Sequence, residues 1–139
     1  ARRLGRRDAL GLMPPTELAE LLAELQLRRR DVLASLSGDS RVPLVGYLVR
    51  VKRDRASYCV GEVVGIKVEP AGTKLVLRGP CTEIGCGPPK TLWNVQYTSD
   101  ERRFTDEELG VVLQAARAGT LLSDTTQAEA RARAAALTQ

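Results

Sequence analysis

Histidine is absent from this 139-residue chain, and aromatic residues make up only 4% of it. Without histidine the chain lacks the side chain whose charge most readily changes near neutral pH. No G-x-S-x-G, P-loop or dinucleotide glycine fingerprint occurs, so we expect a protein that is not an enzyme and needs no cofactor. The carboxylates Asp106, Glu107 and Glu108 are accounted for by a helix N-terminus, whose dipole favours negative charge. One Trp, one Phe and three Tyr give little support for a stacking platform of the kind that binds single-stranded nucleic acid. Cysteine is scarce as well. Cys81 and Cys86 are spaced C-x4-C and Cys59 lies apart, so three soft ligands stand where structural zinc normally takes four. We therefore expect no metal, and free, mostly unreactive thiols in a reducing compartment. No apolar run approaches the roughly 18 residues of a membrane helix, and no signal-peptide pattern opens the chain, so we expect no membrane partner.

What is present reads as globular: 43% of the residues are hydrophobic and 27% charged. The length suits one domain with its own core. The chain opens at Ala1 without an initiator Met, and we expect it to be a domain of a longer protein. Its formal charge of +4 suits an acidic partner or a nucleic acid but demands neither. Part of that charge lies in a basic arm over residues 1–13, with Arg2, Arg3, Arg6 and Arg7. Such an arm is either a solvated terminus or a contact for a nucleic-acid backbone.

Residues 14–139 read as a single domain. Leu18, Leu21, Leu22, Leu25, Val32, Leu33 and Leu36 recur at helical spacing, which predicts an amphipathic helix over Pro14–Leu36. Gly38-Asp39-Ser40 breaks it. Four strand-like segments follow: Leu44–Lys52, Tyr58–Val68, Thr73–Arg78 and Thr91–Ser99. Short connections with Pro70 and Gly72 suit hairpins, Gly61 and Gly65 suit a bulge or bend, and Gly79–Lys90 forms a longer loop. Four short strands in a row predict a small, bent antiparallel sheet or barrel over about 42–99. Thr105-Asp106-Glu107-Glu108 is a capping box flanked by Phe104 and Leu109, which predicts a helix over about 105–118 ending at Gly119. A last helix is expected over about 124–137, capped by Asp124 or Thr126. The fold class is α+β, with helices clasping a small β-barrel-like sheet.

Candidate recognition residues are cations and aromatics embedded in these elements. Arg29 follows Leu25 by four residues and precedes Leu33 by four, so it shares the apolar face of the predicted helix. A charge there must be paired or reach out of the core, and a held guanidinium makes a good receptor for phosphate or carboxylate. Arg50 alternates with core residues of its strand beside Gly46, and is either a ligand group, an exposed residue or a partner of Glu62. Trp93 and Tyr97, four apart on an alternating strand, are expected on one face, as core or as an apolar wall beside the basic groups. Lys52, Arg53 and Arg55 at a hairpin tip offer a site for nucleic-acid phosphates.

Taken in order, the segments resemble a Plus-3 domain, the module of the Paf-complex-associated transcription elongation factor of the Rtf type. Leu27-Arg28-Arg29-Arg30-Asp31-Val32 resembles the family's L-x-R segment. Gly46-Tyr47-Leu48-Val49-Arg50-Val51 resembles its G-x-F-V-R-I strand, and Tyr58-Cys59-Val60-Gly61-Glu62-Val63-Val64-Gly65 its Y-R-V-A-E-I-x-G strand. Leu75-Val76-Leu77-Arg78 matches L-x-L-R. Tyr97-Thr98-Ser99-Asp100 precedes Phe104-Thr105-Asp106-Glu107-Glu108 as F-x-S-N precedes F-T-x-x-E, with one extra residue before Phe104. The likeness covers roughly Leu25 to Leu137.

The resemblance implies helices clasping a Tudor-like β-barrel subdomain. It further implies a nuclear, monomeric recognition domain that binds the phosphorylated C-terminal repeats of the large DSIF subunit. Through its parent protein it would work with Paf-complex subunits and recruit them to RNA polymerase II, with single-stranded DNA as a further partner. The family's phosphate-binding arginine falls on Arg29 and its aromatic pocket residue on Tyr97. A second family arginine falls on Thr91, with Lys90 beside it, and the family's Y-R dipeptide is Tyr58-Cys59 here. The phosphate- and peptide-binding set is then Arg29, Arg50, Lys90 and Tyr97. The alternatives are a single-stranded nucleic-acid binder and a docking module indifferent to phosphate.

Overall fold

The N-terminal helical pattern is not one helix. In the computed structural model, which describes residues 8–53, 57–82, 90–101 and 104–138, α1 (Pro15–Glu24) stops at Leu25. A two-residue strand, β1 (Gln26–Leu27), and a second helix, α2 (Arg29–Leu36), follow. Long-range pairing overrides helix continuation here. Gln26 and Leu27 lie parallel to Leu48 and Val49, and the Leu48 amide donates to the Leu25 carbonyl at 3.0 Å. The second helix restarts on its own cap, with the Arg28 amide donating to Asp31 Oδ2 at 2.8 Å. Only part of the expected stripe is buried. Leu18, Leu21, Leu22, Leu25 and Val32 join the core, whereas Leu33 and Leu36 are exposed because the break rotates them away.

The sheet runs β1–β2–β3–β4–β5, with β2 (Leu48–Lys52), β3 (Tyr58–Glu69), β4 (Gly72–Arg78) and β5 (Leu92–Asn94). The β1–β2 pair is parallel and the others antiparallel, so the sheet is mixed; β1 and β5 do not pair, and it is not closed. The register slips between Val63 and Gly65, where the glycines led us to expect a bulge. Glu69 pairs with Gly72 across the Pro70-Ala71 turn, and Gly72 takes φ 136°, a conformation that side chains disfavour.

The expected strand Thr91–Ser99 is much shorter. It ends at Asn94, and Val95–Tyr97 coil into a 3-10 turn before Thr98 bridges back to Val51. Strand alternation is therefore lost after Asn94: Trp93 is fully buried while Tyr97 is exposed, not on a shared face.

The C-terminal third follows its caps. Thr105 accepts from the Glu108 amide at 3.1 Å and Glu108 from the Thr105 amide at 2.8 Å, opening α3 (Asp106–Ala118). Gly119 closes it at φ 78°. Thr126, not Asp124, caps α4 (Gln127–Leu137). α1 packs on both α3 and α4, and one hydrophobic cluster runs from Leu18 and Leu22 through Val49, Val63 and Trp93 to Val112 and Ala130. Two polar ties fasten the sheet to the helical side. Glu62 holds Arg78 at 2.9 Å and accepts the Leu122 amide at 2.7 Å, fixing Leu122 at φ 54°. Tyr47 donates to the Arg133 carbonyl at 2.9 Å, and the Arg133 guanidinium occupies the space over Gly46.

Candidate functional site

The helix break decides where Arg29 goes. As the first residue of α2 it is exposed, not seated in the apolar seam that an unbroken helix would have provided. Its amide donates to the Ser99 carbonyl at 3.1 Å, and its Nη1 donates to the Gln96 carbonyl at 3.3 Å. Among the described residues the guanidinium has no carboxylate within ion-pair distance.

Arg29, Lys52, Tyr58 and Tyr97 border one open cleft of about 510 Å³. The 3-10 turn supplies its far wall by lifting Tyr97 out of the sheet and aiming the Gln96 carbonyl at Arg29. Thr98 also borders the cleft, and its buried hydroxyl has no hydrogen-bond partner among the described residues. Lys90 flanks the same wall, its Nζ 4.3 Å from the centre of the Trp93 ring and 5.6 Å from that of Tyr97. The cleft is not uniformly basic, since Asp100 and Glu101 stand at its rim. Asp100 is engaged by Arg30, which donates to its two carboxylate oxygens at 3.2 and 3.0 Å. Those bonds hold the Asp100 carboxyl below its usual range and raise the Arg30 guanidinium.

Arg50 is not part of that cleft. It does not open beside Gly46, nor does it pair with Glu62, which is taken by Arg78. Its Nε donates to both Glu108 oxygens at 2.8 and 2.9 Å, its Nη1 reaches Ser99 Oγ at 3.3 Å, and its guanidinium stacks 4.0 Å from the Tyr58 ring centre. The pair is desolvated: the two side chains are 11% and 12% exposed. Its strand explains this, because both faces of β2 are covered from Leu48 to Val51. The capping box hid the partner. Glu108 satisfies a local role at Thr105, so nothing in the sequence pattern asks for a second one across the fold.

Lys52 joins the cleft, while Arg53 faces an adjoining one with Tyr58 and Glu107. Arg55, the arginines of the basic arm and Cys86 lie outside the described residues. Tyr58 was missed as a site residue although it lines both clefts, because its own strand pattern marks it only as a β-former.

Fold and site together define an α+β domain with an open, mixed basic and aromatic cleft beside a helix start. No protein-family model matches the sequence, and no curated protein matches it.

Proposed function

We propose that this is a non-catalytic recognition domain that binds a phosphorylated peptide in the Arg29–Tyr97 cleft. The supporting observation is that Arg29, Lys52 and Tyr97, drawn from three separate segments, border one open cleft while the Arg29 guanidinium spends one 3.3 Å bond on a backbone carbonyl. A guanidinium so placed retains donors in the fork geometry that suits a phosphate. Tyr97 supplies an apolar wall for the flanking peptide, and Lys90 adds positive potential behind it. Arg50 belongs to the scaffold of this site, holding Tyr58 and Ser99, and is not itself a ligand group.

The resemblance to Plus-3 domains makes the ligand concrete. It supports the phosphorylated C-terminal repeats of the large DSIF subunit, read by a monomeric nuclear domain that recruits Paf-complex partners to RNA polymerase II. The Tudor-like reading of the β-subdomain belongs to the same proposal. What favours it is the bulged β3, the 3-10 turn after β5, and the return of Thr98 onto Val51 with the Ser99 amide donating to the Arg50 carbonyl at 2.7 Å.

Calorimetric titration with phosphorylated and unphosphorylated repeat peptide tests the reading. The phosphorylated form should bind at least about tenfold tighter, and Arg29→Ala should remove most of that difference. Equal binding of the two peptides, or an unaffected Arg29→Ala variant, would falsify it.

A second reading, single-stranded nucleic-acid binding, is favoured by Lys52 and Arg53, which leave the end of β2 exposed beside Tyr58. It requires affinity for single-stranded DNA that falls steeply with salt. No binding at low salt removes it.

A further inference from the structure

The described residues hold a thiol pair that the phosphate reading does not use. Cys59, the second residue of β3, and Cys81, in the 3-10 turn Pro80–Thr82 that leaves β4, are both buried and free. Cys59 Sγ donates to the Cys81 carbonyl at 4.0 Å and to that of Val51 at 3.8 Å, which sets the two residues side by side. Two features force the contact. Gly79 at φ 103° turns the chain, and the Thr82 hydroxyl and amide both bind the Gly79 carbonyl, at 2.8 and 3.0 Å, which locks the turn against β3. Gly61 then leaves room for the second sulfur: a Cβ there would collide with Cys81 Sγ.

The two thiols are not equivalent. Cys81 is wholly enclosed, whereas Cys59 borders an open cleft of about 230 Å³ with Tyr58 and Pro80, wide enough to admit a small solute. The neighbouring Cys81 thiol, with Arg53 and Lys90, eases ionisation of Cys59 against the opposing effects of burial and of the Glu108 carboxylate. The Cys81 thiol is pushed up by the same contact and by burial. A thiol on the wall of an open cleft with a resolving thiol behind it is the arrangement that converts oxidation into a cross-link.

We propose that Cys59 and Cys81 are an oxidative modification site, forming an intramolecular disulfide when the protein meets a two-electron oxidant of the peroxide class. The Cys59 thiolate attacks one peroxide oxygen; the O–O bond breaks, a sulfenic acid forms, and the departing hydroxide takes up a proton. The Cys81 sulfur then attacks the Cys59 sulfur, the S–O bond breaks, and the thiol proton leaves with the oxygen as water. Two thiols and one peroxide become one disulfide and two waters. The new bond staples the start of β3 to the exit of β4, closing a chain segment whose ends are 22 residues apart. It stands or falls independently of phosphate recognition.

The test is hydrogen peroxide treatment of the native, reduced protein, followed by intact mass and peptide mapping. The Cys86→Ser variant is treated in parallel to remove the third thiol. Both proteins should lose about 2 Da and yield a peptide linking Cys59 to Cys81, reversibly with dithiothreitol. The oxidised form should melt roughly 5 °C or more above the reduced one. Cys59→Ser and Cys81→Ser should each abolish the linked peptide. The proposal is overturned if the native thiols resist until denaturant is added, or if Cys59 only gains oxygen without a cross-link. Mapping the link in the parent chain to Cys86 overturns it equally, even where the Cys86→Ser variant does not fold.

Discussion

Arg50 and Arg29 both hydrogen-bond to Ser99, one to its hydroxyl and the other to its carbonyl, yet their surroundings are opposite. Arg50 is buried at 9% exposure, stacked on Tyr58, with its Nε held on Glu108 and its Nη1 on Ser99. Arg29 stands at an open helix start with a carbonyl for company. The lesson concerns what a buried cation means. Where a carboxylate accompanies it into the core, the pair organises the fold, and its desolvation leaves little to offer a ligand. Where the scaffold instead fixes the main chain and leaves the guanidinium in solvent, the charge is available for recognition at small cost to stability.

The sharpest way to break this contrast is to remove the carboxylate. Glu108→Ala strands the Arg50 guanidinium in the core and also unmakes the cap of α3, so the protein should lose about 3 kcal/mol or more in urea denaturation. Combining it with Arg50→Met should recover part of that loss, because an apolar replacement needs no partner. A Glu108→Ala protein as stable as the parent would show that the pair is not structural.

A smaller effect is expected where the two regions meet. Tyr58 lies on Arg50 and borders the Arg29 cleft, so Tyr58→Leu removes the stacking and one wall together. Stability should fall by about 1 kcal/mol in the same denaturation assay. Phosphopeptide affinity should fall with it, while Glu108→Gln should change stability far more than affinity.

Smallest is the pH effect of the rim. Arg30 holds the Asp100 carboxyl below its usual range, so the folded chain binds that proton less readily than the unfolded one. The contribution is present above the unfolded carboxylate value of about 4 and disappears as pH falls through the lower folded value. Asp100→Asn should therefore lower stability slightly at neutral pH, converge with the parent at low pH, and so make the acid side of the stability profile shallower. The pair is exposed, which keeps the change small. Acid titration monitored by circular dichroism measures it, and an unchanged acid limb would mean that the pair adds nothing.

Local signals carried much of this fold. Thr105, Gly119 and Thr126 mark their helix ends because caps satisfy backbone groups within a few residues, and Gly72 marks its turn for the same local reason. Gly65 likewise marked the bulge. What the pattern could not reveal was decided across the fold. The break at Leu25 depends on β2, some twenty residues onward, so helical periodicity carried Arg29 into a seam that does not exist. The 3-10 turn at Val95–Tyr97 ended a strand that alternation would have extended, and with it the shared face of Trp93 and Tyr97. Of the candidate cleft, Arg29, Lys52 and Tyr97 were legible as residue types. Their convergence, and the capture of Arg50 by Glu108, were not, because both depend on contacts between distant segments.

The most direct test of the contrast is to watch both guanidiniums at once. Nitrogen–proton correlation spectra resolve arginine Nε–H groups, and Arg29→Lys and Arg50→Lys variants assign the two signals. On addition of saturating phosphorylated repeat peptide, the Arg29 signal should shift and gain protection from solvent exchange, while the Arg50 signal, already held by Glu108, should stay in place. Movement of the Arg50 signal with a silent Arg29 would contradict the division of roles, as would an Arg29 signal that shifts equally with unphosphorylated peptide.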